Sequence, residues 1–149
     1  MVGTGEDARR RRLREAGLKV TAPRLAILAV LEEDRRHPTA EEIHQAIRER
    51  RPALSLSTVY KTLESFLRTG LVRRVSGGGN RLRVDGVPGE HDHAVCRLCG
   101  AVFDVDRPEA VRAAVPRESV AGMRITGVRI EYDVVCRACE ARQGRPQPN

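Results

Sequence analysis

Residues 57–85 read STVYKTLESFLRTGLVRRVSGGGNRLRVD, and this stretch decides the fold. Val59, Leu63, Phe66 and Leu67 recur at i, i+4, i+7 and i+8, which gathers them on one face of a helix. Ser57, Tyr60, Lys61, Glu64 and Arg68 fall on the other face. Ser57 is read as the opening of the helix and Gly70, after Thr69, as its close. Leu71–Ser76 and Arg81–Asp85 then flank Gly77-Gly78-Gly79-Asn80, the pattern of two short strands around a glycine-rich turn.

Upstream, Thr39-Ala-Glu-Glu42 spells a capping box: the Thr39 hydroxyl accepts from the Glu42 amide, and the Glu42 carboxylate reaches back. Ile43 and Ile47 give that helix its buried stripe. Thr21, two residues before Pro23, starts an earlier helix carrying Leu25, Ile27, Leu28 and Leu31. The run Arg9–Arg12 before Leu13 and Leu18 reads as a short basic helical stretch, either a solvated face or a phosphate-contacting arm. Two packed helices, a helix with a polar front and then a basic hairpin is the order of a winged helix-turn-helix. In that frame Ser57, Thr58, Tyr60 and Lys61 sit where a recognition helix meets DNA. Tyrosine offers a ring to a thymine methyl, and lysine offers donors to guanine or phosphate. Arg73, Arg74, Arg81 and Arg83 on the hairpin would bind phosphates. The competing reading is an ordinary exposed helix face.

Gly86-Val-Pro-Gly89 breaks the pattern and reads as a hinge. The expected organisation is therefore α+β: a winged-helix domain over residues 1–84, a hinge over 85–90 and a small α/β domain over 91–149. In the last, Ala94–Cys96 and Val102–Val105 read as strands, Pro108–Val115 as a short helix, and Val128–Val135 alternates well enough for a long strand. The polar tail Gly144–Asn149 is expected to be disordered.

The four cysteines of the chain form two Cys-x-x-Cys pairs, Cys96/Cys99 and Cys136/Cys139. Two such knuckles complete a tetrahedral all-sulfur site, the geometry of structural Zn²⁺. Two disulfides would need an oxidising compartment. A redox motif would explain one pair but not its duplicate. The opening MVGTGEDARRRRLREAGL has no apolar segment, so an unexported, cytoplasmic protein is expected. No apolar run reaches the length of a membrane span. A chain of 149 residues suits one domain or two small ones; two would each have a thin core, and a metal staple on one is then physically sensible. Residues 1–90 hold 18 Lys/Arg against 12 Asp/Glu, and residues 91–149 hold 9 against 8, so the excess positive charge sits in the half expected to meet a polyanion.

A second constellation is His91-Asp-His93. Residues two apart on a strand share a face, so both imidazoles can meet one ion while Asp92 points away. Asp85, Asp104 and Asp106 lie nearby in sequence, and His37 immediately precedes the capping-box segment. His44 is expected to pack beside Ile43 and Ile47 with no metal role.

His37-Pro-Thr-Ala-Glu-Glu, Leu56-Ser-Thr-Val-Tyr-Lys-Thr-Leu63, His91-Asp-His93 and the two Cys-x-x-Cys pairs, in that order over residues 13–142, resemble the ferric uptake regulator family. The resemblance implies a homodimeric repressor whose winged helix binds an AT-rich palindromic operator in double-stranded DNA when a regulatory divalent metal is bound. It implies one structural zinc per subunit, holding the dimerisation domain together. The family's regulatory ligands fall on His37, Asp85, His91, His93 and Asp104. Zinc sensors commonly use a cysteine at the regulatory site, and here the structural site takes all four. Nickel sensors use a richer histidine cluster, where position 90 is Glu. Iron sensors typically have glutamates in place of Asp85 and Asp104, and many have a further site needing a late histidine, which this chain lacks after His93. Three imidazoles and two aspartates therefore resemble the peroxide-sensing repressors, with Fe²⁺ or Mn²⁺ as regulatory metal. That resemblance implies Fe-dependent oxidation of a ligand histidine, His37 or His91. The alternatives are a manganese- or iron-responsive uptake repressor, and a zinc-stapled DNA-binding protein with no sensing role. A hydrolase built on the His-x-His is disfavoured, because domains this small leave little room for a pocket and a positioned acid/base. No enzyme activity, small organic substrate or membrane partner is expected.

Overall fold

Side-chain caps start the three core helices of the N-terminal half, as seen in a computed structural model that describes residues 5–76 and 81–144. Helix α1 spans Gly5–Glu15 and α2 spans Ala22–Glu33, the latter capped by Thr21, whose hydroxyl accepts from Arg24 N at 3.4 Å. Helix α3 (Ala40–Arg48) opens on the full capping box: Glu42 N donates to the Thr39 hydroxyl at 3.2 Å, and Thr39 N donates to the Glu42 carboxylate at 2.7 Å. Helix α4 covers Leu56–Arg68. Its cap is Ser55, not Ser57: the Ser55 hydroxyl accepts from Thr58 N at 3.2 Å from an extended backbone, while Ser57 already lies in the first turn.

Leu13, Ile27, Leu28, Leu31, Ile43, Ile47, Val59, Leu63 and Phe66 are buried together as the core of this half, each worth roughly 1.5–3 kcal/mol of burial. The arginine run divides. Arg9 and Arg12 turn inward to Glu32 of α2, and Arg12 also donates to the Gly86 carbonyl at 3.1 Å. Arg10 and Arg11 pair along their own helix with Glu6 and Glu15. Gly86 itself packs so tightly on α2 that a Cβ there would lie 2.6 Å from the Leu31 Cβ.

The hairpin strands are β1 (Arg73–Val75) and β2 (Arg83–Asp85), antiparallel with Arg73 opposite Asp85 and Val75 opposite Arg83. They are shorter than Leu71–Ser76 and Arg81–Asp85. Leu71 N and Val72 N donate back to Phe66 O, which ties the first two residues to the end of α4. The expected turn Gly77–Asn80 lies outside the described residues, as does the tail beyond Gly144. Thr39 forms a β-bridge with Arg83, so the segment entering α3 docks on β2.

The chain divides into two compact units, Met1–Pro88 and Gly89–Asn149. In the second, β3 (Asp92–Cys96) is the central strand, with β4 (Val102–Val105) antiparallel on one side. Helix α5 (Glu109–Ala114) follows, then a small hairpin of β5 (Ser119–Val120) and β6 (Met123–Arg124). Strand β7 (Glu131–Val134) pairs in parallel on the other side of β3, and α6 (Arg137–Gln143) ends the described chain. Pro108 stands at the N-cap of α5 rather than at its first position. The strand expected over Val128–Val135 shrinks to four residues, because only His93–Cys96 of β3 offers Glu131–Val134 a partner. The core here is thin. Ala94, Val95, Cys96, Val102 and Cys139 are its buried apolar residues, while Leu98, Phe103, Val120, Met123 and Val135 are exposed. Among the described residues no helix is long and apolar enough to cross a membrane.

Candidate metal centres and nucleic-acid interface

Parallel pairing of β3 with β7 brings the two cysteine knuckles to the same end of the sheet, since Cys96 lies opposite Val134, two residues before Cys136. The first knuckle turns between β3 and β4, closed by Gly100 N donating to Cys96 O at 2.8 Å, with Gly100 in the left-handed region at φ 70°. The second is wound by the start of α6, where Cys136 is the N-cap and Cys139 N donates to Cys136 O at 2.9 Å. All four Sγ atoms lie within 4.8 Å of one another, and all four thiols are free. Cys99 and Cys136 Sγ are 3.8 Å apart. Zn–S bonds of about 2.3 Å in a tetrahedron place sulfurs about 3.8 Å apart, so the donor set and its spacing fit Zn²⁺. One four-sulfur cluster, not two separate pairs, is what the fold assembles.

The electrostatics agree with that fit. Backbone amides of Cys136 and Cys99 aimed at Cys96 lower its thiol to about 6, which favours the thiolate a metal requires. Cys139 accepts from the Arg142 guanidinium at 2.9 Å, which favours its thiolate. Burial and its hydrogen bonds to the other cysteines outweigh that contact and push Cys139 up to about 11. A bound dication would offset what opposes the Cys139 thiolate.

In the second unit His91, His93 and Asp104 form a second group. His93 and Asp104 are cross-strand partners on β3 and β4. His91 Nε2 and His93 Nε2 approach the same oxygen, Asp104 Oδ1, at 3.6 and 3.8 Å. Their rings meet edge to face with centroids 5.0 Å apart. Two imidazole nitrogens and a carboxylate converging on one point are N/O donors suited to Fe²⁺ or Mn²⁺. Asp92, between the histidines in sequence, faces the other side of the strand and is buried. It takes three hydrogen bonds of 2.7–3.2 Å from the Arg107 guanidinium, and Tyr132 OH lies at 3.4 Å. Burial first and the Asp92 charge second push the Tyr132 hydroxyl above its ordinary range.

In the first unit His37 and Asp85 are both buried, with Nδ1 and Oδ1 4.0 Å apart. Asp85 closes β2 and also accepts from Val87 N at 2.8 Å. His37 has φ 55°, left-handed backbone that is uncommon outside glycine, and its carbonyl accepts from the Arg83 guanidinium at 2.9 Å. Asp106 is exposed. His44 Nε2 lies 2.9 Å from Leu54 O, a partner that periodicity did not point to.

On α4 the apolar face Val59, Leu63 and Phe66 is buried. Ser57 and Lys61 are exposed, while Thr58 and Tyr60 are half-buried. Tyr60 OH donates to Glu41 Oε1 at 2.7 Å, so Glu41 belongs to this face. Arg74 and Arg81 are exposed, Arg73 is half-buried, and Arg83 is turned inward to His37. Sequence reasoning missed Glu41, Arg107 and the inward turn of Arg83. Each depends on a contact between distant segments, and no local spacing signals it.

Residues 15–133 match the sequence profile of the family described as the ferric uptake regulator family. The "Peroxide operon regulator" of Bacillus subtilis (strain 168) is 34% identical over 131 residues, which are 88% of this chain and 90% of that protein. The "Peroxide-responsive repressor PerR" of Staphylococcus epidermidis (strain ATCC 12228 / FDA PCI 1200) is 33% identical over 128 residues, 86% and 85% of the two chains. The solved structure of the ferric uptake regulator from Pseudomonas aeruginosa with manganese superposes with a TM-score of 0.72 at 31% identity, covering 87% of this chain and 98% of that one.

Proposed function

This chain belongs to the ferric uptake regulator family, and from that premise we propose that it is a metal-dependent DNA-binding transcriptional repressor that senses peroxide. The observation that carries the reading is the ligand chemistry: a four-thiol cluster, two imidazoles converging on the Asp104 carboxylate in the second unit, and a buried His37–Asp85 pair in the first. The names of the relatives at 34% and 33% identity support the peroxide signal, and the manganese in the Pseudomonas aeruginosa structure supports a divalent metal.

Cys96, Cys99, Cys136 and Cys139 would hold structural zinc. His37, Asp85, His91, His93 and Asp104 would hold the regulatory Fe²⁺ or Mn²⁺. Fe²⁺ held there would supply the electron that activates peroxide, a role Mn²⁺ would not readily fill. His37 and His91 are the side chains proposed to be oxidised, and a ligand histidine that gains oxygen binds metal less well. If these five residues share one ion, metal occupancy and the DNA-competent state would be one linked equilibrium. The exposed Leu98, Phe103, Val120 and Met123 on a thinly packed second unit support a homodimer, which would bury such surface. The operator is proposed to be an AT-rich palindrome in the cell's own DNA. Ser57, Thr58, Tyr60 and Lys61 would face its bases, and Arg73, Arg74 and Arg81 its phosphates.

The test is DNA binding before and after mild chelation that leaves zinc in place. Duplexes selected from a random library by the Mn²⁺-loaded protein should be released on chelation and rebound on adding Mn²⁺. Equal binding with and without the second metal would make the protein a constitutive DNA binder. A single substitution, His37→Ala, should leave zinc content and dimer intact while abolishing the metal dependence.

A further inference from the structure

We propose that Arg83 is not a phosphate contact but a positioning residue, a clamp that holds His37 in the strained conformation from which it serves the regulatory metal. The inference rests on the proposed role of His37 as a ligand. His37 is in left-handed backbone at φ 55°, directly before Pro38. A residue preceding proline is driven towards extended conformations, so this geometry is unfavourable twice over and persists only if its surroundings hold it. Arg83 supplies the hold. Its guanidinium donates to the His37 carbonyl at 2.9 Å, and it sits 3.6 Å from the Glu42 carboxylate that completes the capping box at Thr39. The Thr39–Arg83 bridge fixes the backbone on the far side of Pro38 to the same residue.

Arg83 and Asp85 are two apart on β2, so one short strand carries both the clamp and the carboxylate that His37 Nδ1 faces at 4.0 Å. The side chain of Arg83 is only 19% exposed and is already shared between a carbonyl and a carboxylate. Both contacts are made by Nη1 of a guanidinium that is largely withdrawn from solvent, whereas Arg74 and Arg81 on the same hairpin are exposed. Through Arg83, the strand of the proposed wing and the proposed ligand His37 become one mechanical piece.

The experiment uses the full-length, zinc-containing protein and three measurements on wild type, Arg83→Ala and Arg83→Lys. The first is Mn²⁺ affinity, read from free Mn²⁺ by electron paramagnetic resonance. Arg83→Ala should weaken it at least tenfold, and Arg83→Lys, which keeps one donor, should recover part of the loss with zinc content and melting transition unchanged. The second is the salt dependence of binding to a random-sequence duplex, which should keep its slope in Arg83→Ala. The third is hydrogen exchange of the peptide covering residues 35–43 in protein lacking the second metal, which should speed up in Arg83→Ala. Unchanged Mn²⁺ affinity with a log–log salt slope flatter by about 0.9 would make Arg83 an ordinary phosphate contact and overturn the clamp. Unchanged exchange over 35–43 would overturn it as well. If wild type takes up no Mn²⁺ while exchange still speeds up in Arg83→Ala, the regulatory-site reading fails and the hold on His37 stands.

Discussion

Asp92 shows how much one side chain can matter when it is fully withdrawn from water. It lies between the two proposed ligand histidines, on the opposite face of β3, and its carboxylate is held by Arg107 at 2.7 Å with both side chains at most 9% exposed. Arg107→Ala would leave that charge buried without its partner, and a loss of about 3–5 kcal/mol in the stability of the second unit is expected. Denaturant unfolding of the zinc-loaded protein reads it directly. A loss under about 1 kcal/mol would mean that water reaches Asp92 once Arg107 is removed. Glu41 offers a gentler case on the face proposed to meet DNA. The hydrogen bond from Tyr60 is the main cause holding its carboxyl below the ordinary glutamate range. A depressed carboxyl stabilises the fold above its unfolded value of 4.5, and that support fades as pH falls through the lower folded value. Glu41 is exposed and Tyr60 only half-buried, so the effect on stability is small. The clean readout is the NMR titration of Glu41, which should move up in Tyr60→Phe and stay put if the hydrogen bond is absent in solution.

Among the elements, those with local chemical signals were legible in the sequence. The Thr39 capping box formed as spelled, and Thr39→Ala should cost about 1 kcal/mol of first-unit stability in a thermal or denaturant melt. The stripe Val59, Leu63 and Phe66 is buried as its spacing required. Ser55 and Ser57 were chemically equivalent candidates to open α4, and the choice fell to Ser55 because it sits where the chain is still extended. Leu71 and Val72 carry strand-like side chains, but their amides are taken by the end of α4. Val128–Val135 alternates convincingly, yet a strand is only as long as its partner, and β3 pairs with just four of those residues. For the candidate site, the cysteine cluster follows from spacing alone. The convergence of His91 and His93 on Asp104 needed the β3–β4 register, and the strained backbone of His37 had no signal in composition or periodicity.

The two compact units of the molecule differ in what stabilises them. The first has a continuous core running from Leu13 to Val84. The second buries few apolar side chains, and two of those are cysteines of the cluster. Structural zinc contributes on the order of 10 kcal/mol in such sites, far more than a thin core can replace. Cys96→Ser or Cys136→Ser should therefore unfold residues 91–149 and abolish the dimer while the helices of the first unit still melt cooperatively. Circular dichroism and sedimentation read the two effects separately, and a metal-free dimer with the native melting curve would contradict the structural role of the cluster. The account as a whole stands on the claim that this repressor senses peroxide through its regulatory metal. The most direct measurement is brief peroxide treatment of the Fe²⁺-loaded and Mn²⁺-loaded protein bound to a selected duplex, followed by mass analysis of the peptides carrying His37 and His91. The Fe²⁺ form should release the DNA and gain the mass of one oxygen on one of those peptides, and the Mn²⁺ form should do neither. If both forms keep their DNA and neither peptide gains mass, the protein is a metal-responsive repressor that does not sense peroxide.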